Sequence, residues 1–221
     1  MPPPRITKAF VNNATAVFDA NIARAQELYR KIVIHGYTMP PAGAPAIRMT
    51  SPDTRDAAQF IFFEVAAQFE DYAKTMFQAE VRSKLKVTVS QCGYIMGDAD
   101  RGIDTKLGWG SPTLLRARGI NLLGNVSFFG TLDSTLGTAS YNDLIAAHLV
   151  RNRIAHSGGQ AQAKFVKHLT GLGIPAAQRM GLSVGRFLRD YPTGATPLNR
   201  YFFVYLTAYA KFAASAKAAL P

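Results

Sequence analysis

The chain has 221 residues, of which 48% are hydrophobic, so it can bury one sizeable core and is predicted to form a single domain, 1–221. Its formal net charge is +11, and the whole excess follows residue 80: residues 81–221 contain 17 Lys and Arg against 6 Asp, whereas residues 1–80 are balanced. This charge favours nucleic acid or another anionic partner, while the single cysteine, Cys92, excludes an intramolecular disulfide framework and a thiolate zinc site.

The N-terminal sequence, MPPPRITKAF, is not typical of a secretory signal, because no apolar run follows a charged segment. Elsewhere, no apolar stretch approaches the roughly 20 residues that a membrane-spanning helix needs. We therefore expect a cytoplasmic protein without a membrane partner.

Two long helices are predicted in the first 85 residues. Residues 12–34 place apolar side chains three and four positions apart, and this helix should end near His35 and Gly36. Residues 37–52 contain four prolines and predict an irregular surface connection. Residues 51–85 open with capping residues and carry an apolar stripe, so they predict the longest helix of the chain.

Residues 86–138 are predicted to form an irregular insertion. The segment KVTVSQCGYIM, 86–96, fits either a short strand or a continuation of the preceding helix. Pro112 precedes TLLRARGINLLG, which predicts a short basic helix. The acidic run DADRGID, 98–104, lacks the spacing and the closing glutamate of a calcium loop, so we expect no metal site.

The last third of the chain is predicted to be helical. Ser140 and Asp143 resemble an acidic capping box that starts a helix reading LIAAHLVRNRIAH. Two shorter helical segments and a long apolar helix, 197–220, follow. Four long helices with one insertion predict an all-α fold, a bundle of four to five long helices.

Three polar side chains near the end of the LIAAHLVRNRIAH helix stand out. At 100° per residue, Arg151, Asn152 and His156 fall within an arc about 140° wide, so they can converge on one ligand or on a second copy of the helix. Cations at a helix C-terminus also compensate the helix dipole, and Gly158 suits a left-handed helix cap. That simpler interpretation accounts for Arg153 and Gly158 and leaves Asn152 unexplained.

These residue types can cleave RNA without a metal. An imidazole moves the proton, a guanidinium stabilises the charge that develops on the phosphate, and the ribose 2′-hydroxyl is the nucleophile. In this scheme His156 is the general acid/base, Arg151 stabilises the phosphate and Asn152 orients a partner by hydrogen bonding.

The motif Arg151-Asn152-x-x-x-His156 resembles the R-N-x-x-x-H signature of the HEPN superfamily, and the helical pattern around it is most similar to the RiboL-PSP-HEPN branch. The resemblance implies an all-α domain and a metal-independent ribonuclease of toxin-antitoxin or anti-phage systems, without a cofactor. It also implies a homodimer in which two motif helices share one cleft, and it allows an antitoxin or defence-system partner. It does not extend over residues 86–138, and Gly158 stands where toxins silenced by nucleotide addition carry tyrosine.

Other residues allow alternative interpretations. Arg153, Lys164 and Lys167 are predicted to hold RNA phosphates, although surface cations are often simply solvated. His148 suits packing or a supporting role, and His168 suits packing. The rival functions are a non-catalytic RNA- or nucleotide-binding scaffold and a DNA-binding regulator that reads DNA with TLLRARGINLLGN.

Overall fold

A computed structural model describes residues 6–36, 48–99 and 108–220 of the chain. Within these ranges the regular elements are helical and no strand is found, which confirms the predicted all-α class. None of the helices there has the length and apolarity needed to cross a membrane. The described α-helices are α1 (Lys8–Leu28), α2 (Ser51–Leu85), α3 (Val89–Ala99), α4 (Pro112–Leu123), α5 (Leu132–Leu136), α6 (Thr138–Ala155), α7 (Gly159–Gly171), α8 (Ala176–Arg179), α9 (Val184–Asp190) and α10 (Tyr201–Ala219).

The four long helices predicted from the sequence correspond to α1, α2, α6 and α10. The first of them continues beyond α1 as a π-helical segment, Tyr29–Ile34, and stops at the predicted place. α2 has the predicted bounds, and the Thr50 and Asp53 side chains bind each other's backbone N–H at its start. Residues 37–47 of the predicted proline-rich connection, and residues 100–104 of the acidic run, lie outside the described residues.

The described part of the predicted insertion is largely helical and forms α3, α4 and α5. Residues 86–96, for which the sequence allowed either a strand or a continued helix, contribute to a separate helix, α3. Lys86 has a φ of 56°, which ends α2, and Thr88 and Gln91 then exchange side-chain to backbone hydrogen bonds in a capping box. Pro112 is the first residue of α4, as predicted, with Ser111 as its cap.

Ser140 and Asp143 do not form the start of α6. The helix begins at Thr138, and Gly137, with a φ of 76°, separates it from α5. Glycine adopts this conformation without steric cost, so the chain can turn between the two helices. Asp143 lies inside the helix, where burial raises the pKa of its carboxyl group.

The chain forms two units, and each of the four long helices contributes residues to both. Unit 1 contains the described residues of 1–20, 67–145 and 208–221; unit 2 contains those of 21–66 and 146–207. The predicted insertion therefore belongs to unit 1 apart from its undescribed residues. All of the predicted site residues belong to unit 2.

The core of unit 1 is built from aromatic rings of α1, α2 and α10. Phe18 stacks on Tyr72 with 4.6 Å between ring centroids, and Phe69 stacks on Tyr209 at 4.3 Å. The Tyr72 hydroxyl lies 2.9 Å from Thr15 Oγ1, so its polar end is satisfied inside the core. These contacts explain why helical spacing of apolar residues was a reliable signal in α2.

The core of unit 2 surrounds Tyr29. This ring lies on Phe202 of α10 with centroids 3.9 Å apart, and its hydroxyl donates to the Leu188 carbonyl at 3.2 Å. The His168 imidazole of α7 lies 3.1 Å from the Tyr205 hydroxyl, which supports the packing role predicted for it. Burial lowers the pKa of His168.

Gly185 allows α9 to approach the backbone of α2 within unit 2. A Cβ atom at this position would overlap the Arg55 carbonyl oxygen. We expect Gly185→Ala to lower the free energy of unfolding by about 2 kcal/mol, because the backbones must separate. Gly171→Ala is the control, because Gly171 of α7 is exposed and a Cβ atom added there would have no other atom within 4 Å. This substitution should change the free energy of unfolding by less than about 0.5 kcal/mol. Urea denaturation measures both, and equal stabilities would contradict the close approach.

Candidate functional site

The last turns of α6 bring two of the predicted site residues, Arg151 and Asn152, into one hydrogen-bonded row with His148. Arg151 Nη1 donates to Asn152 Oδ1 at 3.3 Å. Asn152 Nδ2 lies 2.9 Å from Nε2 of His148, one helical turn earlier. The sequence placed these residues on one side of the helix, and the structure joins them directly.

Arg151 is also held by an aromatic ring of unit 2. The guanidinium carbon lies 5.6 Å from the centroid of the Phe63 ring of α2, which is within cation–π distance. The residue is half-buried, so its guanidinium is only partly hydrated. A planar guanidinium in this setting suits a phosphate, which it can bind through two parallel hydrogen bonds.

His156 is exposed and is the first residue after α6. Within the described residues its hydrogen bonds involve its backbone: its N–H donates to the Asn152 carbonyl at 3.0 Å, and its carbonyl accepts from Arg153 Nη1 at 3.1 Å. The helix therefore fixes the backbone position of His156. The structure joins Arg151 with Asn152 and does not join either side chain to this imidazole by a hydrogen bond.

Arg153 lies in α6, and Lys164 and Lys167 lie in α7. Arg153 Nε donates to Gln162 of α7, so this guanidinium connects the two helices as well as adding charge. Lys164 and Lys167 are exposed and three residues apart, which puts them on one face of α7. All three residues add positive charge to these two helices, which favours binding to an RNA backbone.

Gly158 does not have the left-handed conformation that was considered for it. Its φ is −65° and its ψ is 154°, and it is the N-cap of α7. The reason is that α7 begins at Gly159, so the turn must start a new helix as well as end α6. No side chain caps α7 and no acidic residue lies in its first turn, so its backbone N–H groups add positive potential beside His156.

His148 has a larger part in this site than the sequence indicated. Burial, together with the positive charges of Arg151 and Lys164, lowers the pKa of its imidazole to about 4. The imidazole is therefore neutral at physiological pH and can accept a hydrogen bond from Asn152. The available signal was the four-residue spacing between His148 and Asn152, which puts both on one helix face.

The basic helix proposed as a DNA reader directs one of its arginines into unit 1. Arg118 is 1% exposed, its guanidinium lies 4.1 Å from the centroid of the Trp109 ring, and its Nη1 donates to the Gly108 carbonyl at 3.1 Å. Arg116 pairs with Asp133 at 3.0 Å. Arg118 in this position cannot reach a base edge.

The end of α6 thus combines a guanidinium held by an amide and an aromatic ring with an exposed imidazole directly after the helix. Such a set can bind an anion, stabilise developing negative charge and transfer a proton. Comparison of the chain with family models, with curated proteins and with solved structures found no match.

Proposed function

We propose that the chain is a metal-independent endoribonuclease of the HEPN type, with a HEPN-like bundle as its fold, that cuts single-stranded or loop RNA. The observation that carries the proposal is the placement of Arg151: its guanidinium is held by Asn152 in the last turns of α6, and the exposed His156 follows the helix. The motif resemblance supports the same assignment.

The proposed reaction is an internal transfer of the phosphate. The 2′-oxygen of a ribose attacks the adjacent phosphorus, a 2′,3′-cyclic phosphate forms and the bond to the 5′-oxygen breaks. A base removes the proton of the 2′-hydroxyl, and an acid protonates the departing 5′-oxygen. His156 exchanges these protons, Arg151 stabilises the phosphate oxygens in the transition state, and Asn152 keeps Arg151 oriented.

The proposal includes a homodimer, because one imidazole cannot be base and acid in the same step. Two copies related by a two-fold axis would supply two His156 side chains to one cleft. Arg153, Lys164 and Lys167 would hold the phosphates on either side of the cut, and the excess of positive charge after residue 80 supports an RNA partner. A cytoplasmic toxin or anti-phage role, with a possible antitoxin or defence-system partner, completes the proposal.

The wild-type chain tests this function directly. We expect purified protein in EDTA to cut a single-stranded RNA oligonucleotide and to leave a 2′,3′-cyclic phosphate and a 5′-hydroxyl. A DNA oligonucleotide of the same sequence should remain intact, because it lacks the 2′-hydroxyl that attacks. Gel electrophoresis gives the rates, and mass spectrometry identifies the product ends.

Three outcomes would contradict the proposed reaction. Cutting that requires an added divalent metal would point to a metal-bound nucleophile, and cutting of DNA would exclude attack by the 2′-hydroxyl. RNA binding without cleavage would favour the non-catalytic scaffold. A matched duplex DNA in the binding assay separates that scaffold from a DNA-binding regulator.

A further inference from the structure

The Asn152 amide lies between two partners of different chemistry. Its Oδ1 accepts a hydrogen bond from Arg151 Nη1 at 3.3 Å, and its Nδ2 lies 2.9 Å from His148 Nε2. A guanidinium has donors only, so the atom of Asn152 that faces it must be the carbonyl oxygen. The amide nitrogen then faces His148 as a donor, and the imidazole Nε2 must accept.

An accepting Nε2 requires a neutral imidazole with its proton on Nδ1. The surroundings favour the neutral form, since His148 is half-buried and the cations that act on it are Arg151 on its own helix and Lys164 on α7. Nδ1 is buried and has no hydrogen-bond partner among the described residues. Within the described structure, the imidazole therefore makes its hydrogen bond through Nε2, and the partner is Asn152.

We propose that His148 is a positioning residue of the candidate site, which fixes the Asn152 amide so that its Oδ1 faces the Arg151 guanidinium. Without an acceptor at Nε2, the amide can rotate about its last torsion and turn its NH₂ group toward Arg151, where two sets of donors oppose each other. A rotated amide would break the hydrogen bond between Asn152 and the guanidinium and so change the orientation of Arg151. His148 thereby acts on the phosphate-binding group through Asn152 and does not touch RNA itself.

The catalytic part of this inference rests on the proposed ribonuclease function, whereas the orientation of the amide does not. Two substitutions separate positioning from packing. His148→Leu fills the space without an acceptor, and His148→Gln provides Oε1 at about the position of Nε2. A purely structural role would be disturbed by both changes, but a positioning role should be restored by glutamine.

The first readout is the kinetics of RNA cleavage. We expect His148→Leu to lower kcat by about 10-fold or more, because the guanidinium is misplaced in the transition state. KM for RNA should change less than kcat, because Arg153, Lys164 and Lys167 still hold the RNA. His148→Gln should recover most of the lost kcat. Wild-type kcat in His148→Leu, or equal losses in both variants, would overturn the positioning role.

The second readout is nuclear magnetic resonance of the ¹⁵N-labelled full chain, which does not depend on activity. We expect His148 to have a protonated Nδ1 and an unprotonated Nε2 from neutral pH down to about pH 5. The side-chain amide signals of Asn152 should move in His148→Leu and return in His148→Gln. A protonated Nε2, or Asn152 amide signals that do not change in His148→Leu, would overturn the inference even if the protein cuts RNA. If the signals are as expected but the protein does not cut RNA, the ribonuclease function is refuted and the orientation of the amide remains supported.

Discussion

Replacing His156 by alanine should lower the rate of RNA cleavage by about 100-fold or more, since general acid/base catalysis contributes at least that much. The His156 side chain is exposed, and the hydrogen bonds of this residue in the described structure are made by its backbone. Removal of the imidazole should therefore leave folding intact. The assay is cleavage of single-stranded RNA in EDTA, with circular dichroism and thermal unfolding to verify the fold. RNA affinity should change little, because Arg151 and the neighbouring cations remain.

His35 provides the matched control for this substitution. It is also an exposed histidine of unit 2, and it follows the π-helical segment rather than α6. His35→Ala should keep the wild-type rate. Full cleavage by His156→Ala, or an equal loss in both variants, would remove the proton-transfer role from His156 and with it the proposed mechanism.

The fold could be predicted where local signals agreed with packing. In α2, capping residues at the start and apolar residues at helical spacing both indicated a helix, and Phe69 and Tyr72 of that stripe form the core of unit 1. At the start of α3 the sequence allowed either a short strand or a continuation of the preceding helix, since Val87, Thr88 and Val89 are β-branched residues, which are common in strands. The capping box of Thr88 and Gln91 decided the structure, and it was present in the sequence.

The site could be predicted only as a set of residues on one side of a helix. The hydrogen bond between Arg151 and Asn152 depends on side-chain rotamers that a helical wheel does not contain. The neutral state of His148 depends on burial and on Lys164, which comes from a different helix. The left-handed conformation considered for Gly158 was wrong for a related reason. Cations before a glycine indicate a helix end, but the conformation of Gly158 is set by the start of α7.

Glu80 is a buried carboxylate that stabilises the turn before α5. This α2 residue is 2% exposed and belongs to unit 1. Its Oε1 accepts the Phe128 N–H at 2.7 Å and its Oε2 accepts the Phe129 N–H at 3.2 Å. Burial raises the pKa of its carboxyl group, and the two N–H donors oppose that rise. One side chain therefore satisfies two consecutive buried N–H groups of the turn before α5.

Replacing Glu80 by alanine should lower the free energy of unfolding by about 3–5 kcal/mol, because two buried N–H groups lose their acceptor at once. Glu64→Ala is the control: Glu64 is an exposed residue of the same helix, so its loss should cost less than about 0.5 kcal/mol. Urea unfolding followed by the fluorescence of Trp109, the single tryptophan and a residue of unit 1, measures both variants. If the two variants unfold at the same urea concentration, the turn that contains Phe128 and Phe129 does not depend on the Glu80 carboxylate.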